Sequence, residues 1–434
     1  MHNAWENIGR GAIGMAFLLG LCYLLSNNRK AINWRLVGLG LVAQIAFALG
    51  VLTQGRYNVF RIVIQWFSEK FVELINLAHK GIEFVFGNLA DPGGSWAYVF
   101  GVQVLPNIIF FSALSALLYY LGILQKVVHF FALLLSRLRI SGAESVSTAA
   151  NIFLGQTEAP LMIRPFLEKL NRSEVLCIMV GGMANTAGSV LAAYVGFLGG
   201  TDVVQQKYFA LHLLSQSIMS APAAIVCSKM MFPQTEPVEK RIQVSRERLG
   251  DNALDAISLG TTDGLRLAVN VGAMLIVFTA FMYVLNWVLG SIGYHLGLNE
   301  AIKGFSGGRY DGLSFQMLLG YLFSPVAWLI GVDAKEMVQV GQLLGEKTVI
   351  NEFQAYITFS KMKEAGLIID PKSILVTTYA LCGFANFASI GIQIGGISQL
   401  APNQRRNLTE LGLKALVGGT IACLMCACIA GAIA

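Results

Sequence analysis

Long apolar stretches alternate with short polar connections along the chain, a pattern typical of a protein that crosses a membrane many times. One spanning helix needs about 20 mostly apolar residues. The apolar stretches predict eight transmembrane helices at residues 13–26, 36–53, 97–124, 175–198, 208–232, 261–292, 374–400 and 411–434. The first is short but extends on both sides, and the third runs on through residues 125–138.

Residues 58–86 follow a different pattern, because their apolar side chains share one helical face and their charged side chains lie mainly elsewhere. The apolar face carries Phe60, Ile64, Phe67, Phe71, Leu74, Ala78 and Ile82. This periodicity predicts an amphipathic helix that lies at the membrane interface. A connector on the soluble side is the alternative.

Two apolar regions are interrupted by proline or by charged residues. The first is residues 144–170, with Pro160, and the second is residues 315–332 and 338–359, with Glu352. Each is followed by an apolar helix that carries a polar stripe. Ionisable groups at membrane depth are costly and usually line a cavity or bind a ligand, and many secondary transporters build their site from such a duplicated unit. We therefore predict two re-entrant helical hairpins in inverted repeats, and transport as the function.

The whole chain is predicted to form one membrane domain, residues 1–434. Its predicted parts are N-terminal helices with the interfacial helix at 1–96, a scaffold helix at 97–143, a first transport repeat at 144–233, a linker with a long scaffold helix at 234–314, and a second transport repeat at 315–434.

Composition supports an all-α polytopic membrane protein. The 434 residues are 55% hydrophobic and only 13% charged, whereas soluble domains carry roughly a quarter charged residues. The net charge of +6 is not concentrated in a basic cluster interleaved with aromatic residues, so no nucleic-acid partner is expected. The seven cysteines lie almost entirely inside apolar segments, where they are expected to act as packing residues.

Basic residues cluster in connections that fall on one side of the membrane if both hairpins are re-entrant and enter from opposite faces. They are Arg29, Lys30, Arg35, Lys126, Arg137, Arg139, Lys240, Arg241, Arg246, Arg248, Arg405 and Arg406. We predict a multi-pass protein of the cell membrane, inner or plasma, with this side cytoplasmic and both termini outside.

The hairpin tips and the striped helices hold polar side chains suited to a small polar ligand. Half-helix N-termini present unpaired N–H groups. A Gln156 amide, with a donor and an acceptor, suits the edge of a nucleobase, and Glu352 can accept hydrogen bonds from a vicinal diol. Asn386 and Ser389 lie three residues apart on one helical face, with Phe384 nearby to pack on a sugar or base.

Structural alternatives stay open at this point. Glu158 and Glu352 can instead pair with Arg164 or Lys347, and Asn185 can simply be a polar helix-packing residue.

A cation site has its own rationale in the same region. Gly181, Gly182 and Gly188 predict a local helix break near Asn185, and unwound backbone carbonyls coordinate sodium in such folds. Asn151 adds a side-chain oxygen close to the first tip.

Three motifs resemble the signatures of the concentrative nucleoside transporters. They read GQTEAPL at residues 155–161, NEFQAY at 351–356 and GFANFASI at 383–390. The similarity extends from about residue 97 to the C-terminus, and the preceding helices fit the shorter prokaryotic form. The resemblance implies a homotrimer of protomers, each with a scaffold and a moving transport domain. It also implies nucleoside import driven by a cation gradient through an elevator-like movement.

The same resemblance implies roles for individual residues. The nucleobase would lie near Gln156, Thr157 and Glu158. The ribose would lie near Glu352, Asn386 and Ser389, with Phe384 beside it. The implied sodium site consists of the side chains of Asn151 and Asn185 and the backbone carbonyls of Leu154 and Thr186.

Asn185 departs from the pattern of sodium-coupled relatives, which tend to have a small hydroxyl residue there. Asparagine still offers an oxygen, so sodium coupling is expected, and proton coupling through Glu158 or Glu352 is the alternative. No enzymatic cofactor is expected. A membrane-embedded enzyme using both glutamates is less favoured because the chain has no HExxH, GxSxG or phosphate-binding glycine loop. A channel is less favoured because it would need no substrate site.

Overall fold

The computed structural model describes residues 4–53, 58–91, 99–245 and 250–433, and these residues form helices and connections without a β-strand. The all-α prediction is confirmed for this part of the chain. Seven helical stretches in it are long and apolar enough to cross a membrane. They are Trp5–Leu24, Trp34–Leu52, Phe100–Tyr120, Arg172–Gly199, Val203–Met231, Ala253–His295 and Pro402–Ile433. The eighth predicted span, residues 374–400, is divided between two shorter helices, so the number eight stays a prediction.

The N-terminal helices are α1 (Ala4–Leu24), α2 (Trp34–Leu52) and α3 (Val59–Phe86). The amphipathic helix predicted at residues 58–86 is confirmed as α3. The Asn58 side chain caps it by accepting a hydrogen bond from the Arg61 amide at 3.2 Å, the usual role of asparagine at this position. The position of α3 at the membrane interface stays a prediction.

The predicted continuous helix through residues 97–138 is wrong. The structure has α4 (Phe100–Gln103), α5 (Leu105–Tyr120) and α6 (Ile123–Leu135), and residues 97 and 98 lie outside the described part. Gly122 separates α5 from α6 with φ at +72°, a conformation that glycine adopts without the Cβ clash of other residues. Because both flanks are apolar, hydrophobicity alone did not reveal this turn.

The first repeat contains α7 (Gly142–Asn151), a 3-10 turn (Ala159–Ile163) and α8 (Arg164–Leu167), followed by α9 (Arg172–Ala184), α10 (Gly188–Gly199) and α11 (Val203–Met231). The helix, break and second helix lie where the first hairpin was predicted. The break predicted near Asn185 is also confirmed, since α9 ends one residue before it and α10 begins at Gly188.

The middle of the chain is dominated by α12 (Ala253–His295), a helix of 43 residues that packs along α5. The linker before it is not helical in its described residues, 233–245 and 250–252. Its Arg246 and Arg248 lie outside them. Two shorter helices follow, α13 (Leu298–Phe305) and α14 (Phe315–Leu329).

The second repeat contains α15 (Met337–Val349), α16 (Glu352–Glu364), α17 (Pro371–Leu381), α18 (Phe387–Leu400) and α19 (Arg405–Ile433). The second broken region needs a correction, because α14 is a separate helix packed against α15. The break between α15 and α16 falls at Ile350 and Asn351, and the two helices pack against each other.

The long helices α11 and α19 hold the two repeats together, because each packs against both α9 and α17. The ends of the two broken helices meet there. Gln216 of α11 donates from its Nε2 to the carbonyl of Ala184 at 3.3 Å and to that of Cys382 at 2.7 Å. One side chain thus pairs terminal carbonyls of both α9 and α17, which a helix end leaves without intrahelical partners.

A buried ion pair fastens the base of the first hairpin. Lys229 of α11 pairs with Glu144 of α7, and their side chains are only 5% and 1% exposed. Lys229 also donates to the Ser173 hydroxyl at 2.8 Å. Glu144 accepts a hydrogen bond from the backbone N–H of Ser141 as part of a capping box. No local pattern in the sequence indicates this pair, because its partners are 85 positions apart.

Candidate functional site

The first hairpin tip folds back on itself between α7 and the 3-10 turn. The Gly155 N–H donates to the Glu158 carboxylate at 3.3 Å, and the Ala159 N–H donates to the Gly155 carbonyl at 3.0 Å. Gln156 is buried whereas Glu158 is exposed. The two predicted neighbours therefore face different surroundings, with the amide directed into the protein.

The second striped helix begins opposite this tip. Asn386 caps α18 by accepting from the Ser389 N–H at 2.9 Å. The Gln156 amide nitrogen donates to the Ser389 hydroxyl at 3.0 Å, and this bond joins residues 233 positions apart in the chain. The first hairpin and the second striped helix are therefore in direct contact at the predicted ligand-binding residues.

The second hairpin completes the contact through Glu352, the first residue of α16. One carboxylate oxygen accepts from the Asn386 side-chain amide at 2.7 Å, and the other accepts from the Tyr194 hydroxyl at 3.1 Å. Gln156, Ser389, Asn386 and Glu352 thus form one linked polar row, which we call the inter-repeat row. Every residue in it is buried.

Thr157 and Phe384 flank the inter-repeat row. The Thr157 methyl packs on Gly396, where an added Cβ would lie only 2.8 Å from it. Phe384 is partly exposed, and its backbone N–H donates to the Asn185 carbonyl at 3.2 Å. The structure therefore brings all the candidate ligand-binding residues to one region where the two repeats meet.

Among the buried acceptors in this region that have no hydrogen-bond donor in the described chain are the side-chain oxygens of Gln156 and Gln393. Both side chains crowd Gly182, where an added Cβ would lie 2.6 Å from the Gln393 amide nitrogen and 2.9 Å from the Gln156 Cβ. Leaving a buried acceptor unpaired costs about 1–3 kcal/mol, so the N–H groups of a ligand would be stabilised here.

Asn151 and Asn185, the two predicted cation ligands that would bind through their side chains, also lie close together. The Asn185 side chain donates to the Gly181 carbonyl at 3.0 Å, and its oxygen accepts from the Ser220 hydroxyl at 2.6 Å. A Cβ on Gly181 would lie 3.4 Å from the Asn151 amide nitrogen and 3.6 Å from the Thr148 hydroxyl. These five residues are therefore neighbours.

Two of these neighbours offer oxygens that have no hydrogen-bond partner in the described part of the chain, Asn151 Oδ1 and Thr148 Oγ1. Asn151 and Thr148 are both buried. Leu154 and Thr186 flank the two breaks, and the Thr186 hydroxyl lies 3.5 Å from the Cys382 sulfur. Hard cations prefer such neutral and carbonyl oxygens, so the residues present fit sodium.

Glu352 does not form the structural ion pair with Lys347 that the sequence left open as an alternative. Lys347 donates to the Ala380 carbonyl at 2.9 Å, while the Glu352 carboxylate is hydrogen-bonded to Asn386 and Tyr194. Neither Glu158 nor Glu352 is in an ion pair within 4.0 Å among the described residues.

Three residues at the site were not singled out from the sequence: Tyr194, Gln216 and Ser220. Tyr194 stacks on Tyr356 with ring centroids 4.3 Å apart. Gln216 and Ser220 belong to a polar cluster within the otherwise apolar α11, and that cluster was the available signal. Tyr194 gave none, because a tyrosine in an apolar helix is also common at interfaces.

Comparisons with known proteins find similar transporters. Three family models match: the N-terminus of Na+-dependent nucleoside transporters at residues 13–89, a nucleoside recognition "Gate" at 101–201, and the C-terminus of Na+-dependent nucleoside transporters at 212–431. An uncharacterised transporter of Haemophilus influenzae is 41% identical over 424 residues, which cover 96% of each chain. Sodium/nucleoside cotransporter 1 of Rattus norvegicus is 36% identical over 96% of this chain and 62% of its own.

Solved structures of CNTnw have the same fold. Its inward-facing, substrate-bound structure superposes with a TM-score of 0.86 at 38% identity, covering 98% of each chain. An outward-facing structure of a CNTnw variant superposes with a TM-score of 0.89 at 36% identity, covering 99% of each chain.

Proposed function

Because the chain belongs to the Na+-dependent nucleoside transporter family, we propose that it imports nucleosides into the cell by using a sodium gradient. The family consists of multi-pass membrane transporters and not of enzymes. The finer assignments, namely the coupling ion, the ligand-binding residues, the movement and the assembly, belong to this proposal.

The observation that carries the substrate site is the inter-repeat row. In it, consecutive hydrogen bonds connect the Gln156 amide, Ser389, the Asn386 amide and the Glu352 carboxylate where the repeats meet. We assign the nucleobase to Gln156, Thr157 and Glu158, because the unpaired Gln156 oxygen suits a base N–H. The carboxylate and amide end suits the ribose hydroxyls, since a charged acceptor makes the stronger hydrogen bond. Phe384 offers a ring for packing.

Sodium would bind next to this row, at Asn151 and Asn185 with the carbonyls of Leu154 and Thr186. The Asn185 carbonyl accepts a hydrogen bond from the backbone N–H of Phe384. This bond joins a residue that would bind the cation to a residue whose ring would contact the substrate. Coupling is a free energy shared between two sites, and this contact gives the two ligands a direct route to it.

The movement we propose is elevator-like, with both repeats moving together against α5 and α12. Gln216 and the inter-repeat row tie the repeats into one unit. Structures of CNTnw in inward-facing, intermediate and outward-facing states support such a cycle. The assembly we propose is a homotrimer. Only 11% of the residues in the most apolar part of α12 are buried within the chain. The rest form a long face that other protomers or lipid can cover.

The test is uptake of radiolabelled uridine into proteoliposomes with an inward sodium gradient, an inward proton gradient, or neither. Saturable accumulation with sodium alone is the expected result. Accumulation with protons alone would keep the substrate and move the coupling to Glu158 or Glu352. Absence of saturable nucleoside uptake under every gradient would refute the proposal.

A further inference from the structure

The second hairpin contains a buried carboxyl group that is not part of the inter-repeat row. Glu346 of α15 is 2% exposed. One of its oxygens accepts a hydrogen bond from the Gln342 amide at 2.9 Å. The other oxygen has no hydrogen bond of acceptable length and angle to any described residue. Thr358 of α16 lies near the carboxyl. An ionised carboxylate has about four acceptor positions, so these contacts leave it under-satisfied.

No positive charge compensates Glu346 in the described structure. The adjacent Lys347 is directed to the Ala380 carbonyl, 2.9 Å away, and Lys372 of α17 donates to Asn7 at 2.6 Å. The packed face of α14 brings no charged residue, because that helix has none in its sequence. On α16, the Glu352 carboxylate is bonded to Asn386 and Tyr194. The other charged residues of α16 lie in the last turns of that helix and are Lys361, Lys363 and Glu364.

A hydrogen-bonded path leads from Glu346 to a surface cavity. The Tyr310 hydroxyl donates to the Gln342 oxygen at 3.1 Å, and both side chains line an open cavity of about 520 Å³. Arg309 and Asp311 also line it, and Asp311 is paired with Lys303 at 3.3 Å. On the orientation that the basic connections predict, this cavity opens to the outside, because the opposite end of α12 follows the basic linker.

We propose that Glu346 is a proton-binding site in equilibrium with this outer cavity, to which Gln342 and Tyr310 connect it by hydrogen bonds. A hydronium ion from the cavity gives its proton to the unpaired carboxylate oxygen and leaves as water, which makes Glu346 a neutral carboxylic acid, while the Gln342 amide keeps its protons and holds the other oxygen. Desolvating an uncompensated carboxylate costs several kcal/mol, so the neutral acid suits this surrounding better than the anion. The site is distinct from the sodium ligands on the first repeat, and it would make the second hairpin sensitive to external pH.

The test is infrared difference spectroscopy on purified protein in liposomes, titrated from about pH 8 to about pH 5, a range that covers shifted carboxyl groups. Wild type should gain the carbonyl band of a buried carboxylic acid, and Glu346→Gln should lack that band. Glu364→Gln, the same change at an exposed position of α16, should keep it. A difference spectrum of Glu346→Gln identical to that of wild type, or a Glu346-dependent band that responds to sodium in place of protons, would overturn the proposal.

Two further variants keep the test decisive if Glu346→Gln does not fold. Gln342→Leu removes the donor and should shift the band without deleting it, and an unshifted band would overturn the assignment. Tyr310→Phe should slow hydrogen–deuterium exchange of the band, and unchanged exchange would overturn the route. Neither readout requires transport, so a failure of the proposed sodium-driven uptake is recognised separately.

Discussion

Replacing Glu352 by glutamine tests the ribose assignment with little disturbance of the fold. The carboxylate accepts from Asn386 at 2.7 Å and from the Tyr194 hydroxyl at 3.1 Å. A glutamine oxygen can still accept from Asn386, and its nitrogen can donate to Tyr194, because a phenol both donates and accepts. The change therefore removes the charge and keeps the shape and the contacts within the protein.

The expected loss follows from the difference between charged and neutral hydrogen bonds. Bonds to charged groups contribute about 1.5–3 kcal/mol and neutral ones about 0.5–1.5 kcal/mol, a difference of roughly 1–1.5 kcal/mol per bond. With one such hydrogen bond from each of two ribose hydroxyls, the binding free energy would weaken by about 2–3 kcal/mol, which corresponds to a loss of affinity of roughly 30- to 150-fold.

The assay is equilibrium binding of radiolabelled uridine to the purified protein at fixed sodium, with 2′,3′-dideoxyuridine as competitor. Uridine should lose affinity in Glu352→Gln, whereas the dideoxy analogue, which lacks both hydroxyls, should bind the variant nearly as well as wild type. Glu364→Gln is the matched control on the same helix. An equal loss for both ligands, or an unchanged uridine affinity, would refute the ribose role.

Three further changes probe the base site, the cation site and the hairpin base. Gln156→Ala should alter the ranking of nucleobase analogues in competition binding more than that of deoxyribose analogues, and equal effects on both would count against it. Asn185→Leu should abolish sodium stimulation of uptake while circular dichroism still shows a helical protein; intact stimulation would remove Asn185 from the cation site. Lys229→Met leaves the buried Glu144 carboxylate unpaired, which costs about 3–5 kcal/mol, so thermal unfolding in detergent should begin at clearly lower temperature. Adding Glu144→Gln should restore part of that loss, and no recovery would contradict the ion-pair explanation.

Local patterns predicted the local features of the fold. The one-sided apolar face at residues 58–86 identified α3, and the glycines near Asn185 identified the break between α9 and α10. Gly122 was missed because an apolar run looks the same whether it continues straight or turns. The second hairpin was placed too broadly because α14 and α15 are both apolar and close in sequence.

The candidate site was predictable as a set of residues but not as a set of contacts. Gln156 and Glu352 stand out because polar groups are rare at membrane depth. Their connection through Ser389 and Asn386 depends on how two distant repeats pack, which no periodicity within either repeat encodes. Tyr194 and the Lys229–Glu144 pair belong to the same class of long-range contacts.

The double contact of Gln216 imposes an order on biosynthesis. Gln216 and Cys382 are 166 residues apart, which takes about 8–33 seconds to translate at roughly 5–20 residues per second. Until then the nascent first repeat holds the open end of α9 and the Asn185 carbonyl at membrane depth without their second-repeat partners, and each unsatisfied group there costs several kcal/mol. A chain that stalls between the repeats is therefore a half-built bundle with exposed polar backbone, and incompletely folded chains are the ones that cellular proteases remove.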